Sequence, residues 1–311
     1  MTNLKKIGLT ALAGSLAAIG YAQAGSLSVG GTARMEVQSN QVTTAAGVET
    51  ETDAFSNNGT LTFSGSGELD NGFTASYYQA LADGTLTSSN AKLDMGDMGV
   101  IGMGDHNHAG VGTIQDIVPN GGEQPWDDIG AVHGGHEDGV ANPHTGDRLG
   151  YTTASDIVVS VAADLSADGG TQSIAISNST MVDGLKIVAG YADVQSTQAL
   201  EDDLVTYGLS YTMGSISVGA QKTKIDAEAA NSDIERDAFG ISFAVNENLS
   251  IGMGVSDVEY DALGNDEESR EIGAVYTSGG MTFGFQNITK DNIAGTAVDH
   301  EMNELQLTLA F

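Results

Sequence analysis

The sequence lacks cysteine altogether and has only three prolines and 11 basic residues among its 311. Without cysteine, the chain forms no disulfide bonds. With 42 acidic residues against those 11, it has no basic surface that could neutralise phosphates, which excludes nucleic acid as a partner. Long hydrophobic runs are also missing after residue 24. A bundle of membrane-spanning helices is therefore excluded as well.

One apolar run stands at the start of the chain. A pair of lysines precedes this run, residues 7–19, and an Ala-Gln-Ala cleavage site ends at Ala24. The run is too short to span hydrocarbon, and this order of features is typical of a secretory signal peptide. We therefore expect residues 1–24 to be removed after export, leaving residues 25–311 as a single folded domain.

A period-two alternation of apolar and small polar residues recurs along residues 25–311. In FGISFAV, Phe239 and Ile241 fall on one face of an extended strand, and Gly240 and Ser242 on the other. The second face is too small and polar to build a dry core, so we expect it to face water while the apolar face contacts lipid. This inside-out order predicts an all-β fold, a transmembrane antiparallel β-barrel around a wet lumen.

Turn residues divide the chain into about sixteen strands joined by alternating short and long connections. The short connections carry pairs such as Asn-Gly, Gly-Asp and Ser-Asp, whereas the long ones, including residues 39–59 and 195–203, are acidic and polar. Such alternation is typical of a barrel with tight turns at one rim and loops at the other. The predicted strands are 25–38, 60–70, 72–80, 89–95, 99–104, 148–154, 157–164, 171–179, 184–193, 204–213, 215–224, 235–245, 249–260, 270–277, 280–289 and 301–311.

Residues 105–147 interrupt this rhythm with the longest connection. They contain the only tryptophan, Trp126, and all three prolines. The segment also holds most of the histidines: His106, His108, His133, His136 and His144. Its carboxylates are Asp105, Asp116, Glu123, Asp127, Asp128, Glu137, Asp138 and Asp147. A structureless loop of this length is uncommon in a compact domain, but one that folds into the lumen narrows the pore.

The signal peptide, the strand pattern, the long third outer loop and the C-terminal LQLTLAF together resemble the general diffusion porins of Gram-negative outer membranes. That family implies a sixteen-stranded, trimeric outer-membrane barrel that passes ions and small hydrophilic solutes by passive diffusion. The resemblance also implies contacts with lipid and lipopolysaccharide, and recognition of Phe311 by the outer-membrane assembly machinery. Finally, it implies an acidic pore constriction formed by the loop, which would comprise Asp105, Asp116, Glu123, Asp127, Asp128, Glu137 and Asp138.

Strand phase gives a separate prediction for the basic side of the pore. Arg34, Lys92, Arg148 and Lys186 alternate with apolar neighbours and are expected to point inward. An arginine or lysine facing lipid at the bilayer midplane costs about 2–4 kcal/mol. Inward placement is therefore expected whether or not these residues select ions. Because lysine and arginine residues are so few, we expect the pore to pass cations more readily than anions.

Other functions have weaker support in the sequence. The HNH and HGGH histidines would suit Zn²⁺ or Cu²⁺, but their spacing does not match a helical HExxH site, so we expect a polar, pH-responsive loop. Acid clusters such as NDEESRE suit a structural Ca²⁺; otherwise no cofactor is expected. No nucleophile elbow, P-loop or zinc-protease motif predicts an enzyme. The alternative to a porin is an exported, acidic, calcium-binding surface or adhesin-like β protein, which would stay in solution without detergent.

Overall fold

The computed structural model describes residues 25–105, 109–115, 117–126, 129, 147–164, 170–197, 200–230 and 232–311. The predicted signal peptide, residues 1–24, lies outside the described residues. In the described ranges, no helix has both the length and the apolar character needed to cross a membrane.

The described residues form one closed barrel of sixteen antiparallel strands. The strands are β1 (Ser26–Thr43), β2 (Glu49–Glu68), β3 (Thr74–Ala82), β4 (Thr85–Asp94), β5 (Val100–Gly104), β6 (Arg148–Thr152), β7 (Ile157–Asp164), β8 (Gln172–Asn178), β9 (Leu185–Thr197), β10 (Leu200–Met213), β11 (Ile216–Asp226), β12 (Ile234–Ala244), β13 (Leu249–Tyr260), β14 (Glu267–Ser278), β15 (Met281–Asp291) and β16 (Asp299–Ala310). Each strand pairs with its neighbours in chain order, and β1 pairs with β16 to close the sheet. Closure satisfies the backbone hydrogen bonds that a bilayer cannot supply. The predicted all-β antiparallel barrel is confirmed.

The C-terminal strand is held from both sides. Ala310 of β16 pairs with Thr32 of β1, and Leu309 pairs with Met281 of β15. Phe311 extends the ladder, because its amide donates to the Gly31 carbonyl oxygen at 3.0 Å and its own carbonyl oxygen accepts from the Gly31 amide at 2.9 Å. The chain end is therefore part of the barrel seam, with the Phe311 side chain 76% exposed.

The two faces of the sheet differ as the alternation predicts. Along β14, the side chain of Ile272 is exposed, whereas the flanking Glu271 is fully buried. On β12, Phe239 is exposed between the buried Ala238 and Gly240. A water-soluble monomer rarely exposes a continuous apolar surface of this extent. We refer to these exposed, outward-facing apolar side chains, which include Phe239 and Ile272, as the exposed belt. The exposed belt is the surface expected to contact lipid, and the opposite face surrounds the barrel interior.

Residues 39–59 do not form the predicted long loop. β1 and β2 continue through them as one hairpin whose last pair is Thr43 with Glu49. The prediction was wrong because this segment alternates threonine with acidic residues, as in ETETD, and a strand outside the hydrocarbon needs no apolar face. For the same reason the predicted loop 195–203 belongs mostly to β9 and β10.

Candidate pore site

The long insertion begins to contact the wall at a short 3₁₀ helix, Gly110–Ile114. The Gly110 amide donates to Oγ of Ser160 on β7 at 2.9 Å, and the Val111 amide donates to Oγ of Ser173 on β8 at 3.2 Å. Both serines lie on the inward face. The wall thus supplies acceptors for amides that the start of a helix leaves unpaired.

The same segment continues across the inward face to β14. Gln221 of β11 donates through Nε2 to the Ile114 carbonyl oxygen at 3.1 Å. Further along the loop, the Gly121 amide donates to Oε2 of Glu271 on β14 at 3.1 Å. A few loop residues therefore contact strands from β7 to β14. This path is consistent with the predicted folding of the insertion into the lumen.

An apolar cluster joins the loop to the wall. Loop residues Val111, Ile114, Ile117, Val118 and Trp126 pack with the inward-pointing Val188, Ala192, Leu204, Ile225 and Ala238. The inward face is therefore not polar throughout, and the prediction that it would be is wrong here, because the loop excludes water from these positions. The sequence carried a signal: Leu204 and Val205 are consecutive apolar residues, which indicates that neither face of β10 meets water there.

Two buried cations bind the far end of the described loop. Lys290 of β15 donates through Nζ to the carbonyl oxygens of Ile129 at 2.7 Å and Trp126 at 3.1 Å. The guanidinium carbon of Arg236 on β12 lies 5.9 Å from the centroid of the Trp126 ring, within cation–π distance. Nζ of Lys290 is also 3.8 Å from Oε1 of Glu267. Neither cation was among the predicted wall residues, although strand phase places both Arg236 and Lys290 on the inward face of the barrel.

Two of the predicted constriction acids lie in the described residues. Oε1 of Glu123 accepts from Nη2 of Arg34 and from Nε2 of Gln306, both at 3.3 Å. The Asp105 carboxylate accepts from the Ser89 amide on β4. The other predicted acids, Asp116, Asp127, Asp128, Glu137 and Asp138, lie outside the described residues, as do His106, His108, His133, His136 and His144.

Arg34 stands among three carboxylates on the inward face. Its Nη2 lies 2.8 Å from Oε2 of Glu36, 3.3 Å from Oε1 of Glu123 and 3.4 Å from Oε1 of Glu304. Gln38 connects the two wall carboxylates by donating to Glu36 and Glu304, each at 2.7 Å. The guanidinium thus links the loop acid to β1 and β16, and the cluster carries more negative than positive charge.

The other predicted wall cations differ from Arg34 in their surroundings. Arg148 is buried and donates to the Asp105 carbonyl oxygen at 3.1 Å. Lys92 and Lys186 lie on the inward phase of β4 and β9 and are half-buried. Within the described part of the chain, neither forms an ion pair. The structure therefore brings only Arg34 of the predicted wall cations to a described loop carboxylate.

Three further cations lie on the outward face near the long-loop rim, as their strand phase predicts. Lys222 pairs with Asp237 at 2.9 Å, Lys224 with Asp226 at 2.6 Å and Arg270 with Glu268 at 2.8 Å. These side chains point away from the barrel interior.

Across the described ranges, no group of three histidine, aspartate or glutamate side chains has an arrangement that could hold a metal ion.

Comparisons with known proteins agree with this architecture. A family model described as Gram-negative porin matches residues 8–284, whereas curated protein sequences give no match. Among solved structures, the anion-selective porin from Comamonas acidovorans is 15% identical with a TM-score of 0.64, over 92% of this chain and 100% of that one. A triple mutant of Rhodopseudomonas blastica porin is 15% identical with a TM-score of 0.65, over the same shares. At these identities the structures show a shared fold. Since the family model spans most of the sequence, the chain belongs to the Gram-negative porin family, and its barrel is a channel of the outer membrane.

Proposed function

We propose that this porin passes ions and small hydrophilic solutes by passive diffusion and prefers cations over anions. The observation that carries the preference is the setting of Arg34, whose guanidinium lies within 3.4 Å of three carboxylates. One positive charge among three negative ones leaves this part of the wall net negative. Rings or clusters of charge at a narrow passage set ion preference, and a negative cluster attracts cations.

The remaining cations of the folded domain add little opposing charge to the passage. Arg236 and Lys290 are buried beneath the loop, and Arg148 is buried against Asp105. Lys222, Lys224 and Arg270 point outward. Among the lysines and arginines of the described residues, only Arg34, Lys92 and Lys186 remain on the inward face with exposed surface. The overall excess of acidic residues reinforces the same preference.

The porin from Comamonas acidovorans is described as anion-selective. At 15% identity that protein shares the barrel with this chain, but not most of its side chains. Ion preference depends on the charges at the passage and not on the number of strands. The neighbour's selectivity therefore does not transfer, and this chain's own carboxylates support the opposite preference.

Three finer features complete the proposal. The loop residues 109–115 and 117–126 narrow the lumen from the side of β7 to β14 and thereby limit the size of the solutes. Three copies associate in the membrane, as members of this family do, in contact with lipid and lipopolysaccharide. Phe311 serves as the signal that the assembly machinery reads.

The reversal potential of the reconstituted protein across a KCl gradient tests the ion preference. We expect the sign that corresponds to K⁺ passing more readily than Cl⁻. Neutralising the cluster with the double variant E36Q/E123Q should move the potential towards zero. Asp237→Asn is the matched control, since it removes an exposed, outward-facing carboxylate and should leave the potential unchanged. An anion preference of the unaltered protein would refute the proposal.

A further inference from the structure

A lane of glycines crosses the inward face of the wall beneath the loop. Three of them are direct cross-strand partners: Gly219 of β11 pairs with Gly240 of β12, which pairs with Gly254 of β13. Two others continue the lane, because Gly252 of β13 pairs with Gly273 of β14. We refer to Gly219, Gly240, Gly252, Gly254 and Gly273 as the glycine lane.

The backbone conformation of the lane does not require glycine. None of these five residues has a positive φ, the conformation for which glycine is normally selected. Glycine inside a strand is in fact unfavourable by roughly 0.5–1 kcal/mol relative to alanine. Five such residues in register on one face therefore have another physical reason, and close approach of a second backbone is the usual one.

The loop backbone occupies the space that side chains would fill. A Cβ atom on Gly240 would overlap the carbonyl oxygen of Pro119. On Gly219 it would lie 3.0 Å from the Ile117 carbonyl oxygen, and on Gly273 it would lie 2.8 Å from that of Gly121. Main-chain atoms cannot rotate away as a side chain can. Any side chain on the lane would therefore force the loop itself to move.

We propose that the glycine lane determines how far the loop protrudes into the lumen and thereby sets the cross-section and conductance of the pore. This inference rests on the proposed channel function. A methyl group on the lane shifts the loop away from the wall by roughly 0.5–2 Å depending on the position, with the largest shift at Gly240; this is the shortfall from an ordinary contact of about 3.5–4.0 Å. The bond from Gly121 to Glu271 and the contacts of Lys290 hold the loop near the wall, so the loop is displaced towards the pore axis and does not leave the interior.

Gly284 of β15 provides a matched control for a lumen-facing glycine away from the loop. It lies on the inward phase of its strand, next in phase to the buried Gln286. A Cβ atom there would lie 3.8 Å from Cβ of Gln306, an ordinary van der Waals contact. Gly284→Ala therefore adds the same methyl group to the lumen wall without moving the loop. Gly254→Ala is an intermediate case, because the nearest atom is the ring carbon Cδ of Pro125 at 2.9 Å.

Single-channel conductance of the reconstituted protein and its variants tests the inference. Gly240→Ala should lower the conductance by roughly 1.2- to 2-fold, because the passage narrows by the displacement of the loop. Gly254→Ala should lower it less, and Gly284→Ala should conduct like the unaltered protein. Heat-modifiable migration in detergent gels establishes that each barrel is folded.

Two results would overturn the inference. One is an unchanged conductance in folded Gly240→Ala. The other is an equal fall of the conductance in Gly284→Ala, which would mean that a methyl group added anywhere on the lumen wall has the same effect. If Gly240→Ala does not fold, Gly254→Ala decides: a conductance equal to that of the unaltered protein would reject the role of the lane. Failure of the channel function itself is distinguishable, because the unaltered protein would then give no channels at all.

Discussion

Nζ of Lys290 lies 2.7 Å from the carbonyl oxygen of Ile129, so a lysine on the barrel wall binds the main chain of the loop directly. The same ammonium group reaches the Trp126 carbonyl oxygen at 3.1 Å, and the side chain is almost completely buried. In a chain with so few basic residues, this lysine and the neighbouring Arg236 hold the loop. Because the positive side chains of Lys290 and Arg236 are buried against the loop, they do not attract anions into the pore.

We predict that Lys290→Met loosens the far end of the loop. The variant loses two hydrogen bonds from a charged donor, each contributing about 1.5–3 kcal/mol to loop attachment. Single-channel recordings should show more frequent transient closures than those of the unaltered protein. Lys224→Met is the control, since it removes an exposed, outward-facing lysine and should leave the recordings unchanged. Equal closure frequencies in Lys290→Met and the unaltered protein would show that Lys290 does not restrain the loop.

Removing the single cation of the Arg34 cluster should strengthen cation preference. In Arg34→Gln the three surrounding carboxylates lose their shared positive partner, so the local field becomes more negative. The ratio of K⁺ to Cl⁻ permeability, derived from reversal potentials, should rise. Arg270→Gln removes an outward-facing arginine paired with Glu268 and should not change the ratio. A fall of the ratio in Arg34→Gln would contradict the role assigned to this cluster.

A charge introduced into the exposed belt should destabilise the barrel in the membrane. Ile272 of β14 is 58% exposed on the outward face, and arginine facing lipid costs about 2–4 kcal/mol near the midplane. Ile272→Arg should therefore unfold at a lower denaturant concentration than the unaltered protein in lipid vesicles. Thr282→Arg, on the inward phase of β15, places the same charge towards the lumen and should be tolerated. If both variants are equally stable, the belt does not face lipid.

Loss of the terminal aromatic side chain should impair assembly in cells more than stability in vitro. We predict that Phe311→Ser lowers the amount of folded protein in the outer membrane, because the assembly machinery no longer reads its signal, while the purified variant still folds in detergent. Phe55→Ser is the control, as Phe55 is similarly exposed at 71% but lies in the β1–β2 hairpin. Equal outer-membrane yields of the two variants would argue against a special role of Phe311.

The sequence was most informative where one face of a strand contacts lipid. The predicted strands 157–164 and 249–260 have the same bounds as β7 and β13, because period-two alternation is strong in the belt. The strand pairing through residues 39–59 was not predicted, because this hairpin extends beyond the exposed belt, where a strand needs no apolar face. Strand periodicity therefore detects the membrane-spanning part of a barrel and underestimates strands that extend from it.

The candidate site was harder to predict because it depends on how the loop crosses the wall. Strand phase gave the inward orientation of Arg34, but it could not tell that Glu123 is the loop acid that Arg34 meets. Lys290 and Arg236 have the same phase as pore-lining residues and differ from them only because the loop covers them. Whether an inward-pointing side chain contacts water depends on the tertiary structure around it, and the sequence of a single strand does not determine this.

A barrel that acts as a diffusion channel must enclose a continuous path of water from one rim to the other. Single-channel recording of the detergent-purified protein in planar bilayers, over a series of KCl concentrations, tests it most directly. We predict discrete conductance steps whose size rises in proportion to the conductivity of the bath, as bulk-like ions in a water-filled pore require. Folded protein that inserts into the bilayer without producing such steps would contradict the account.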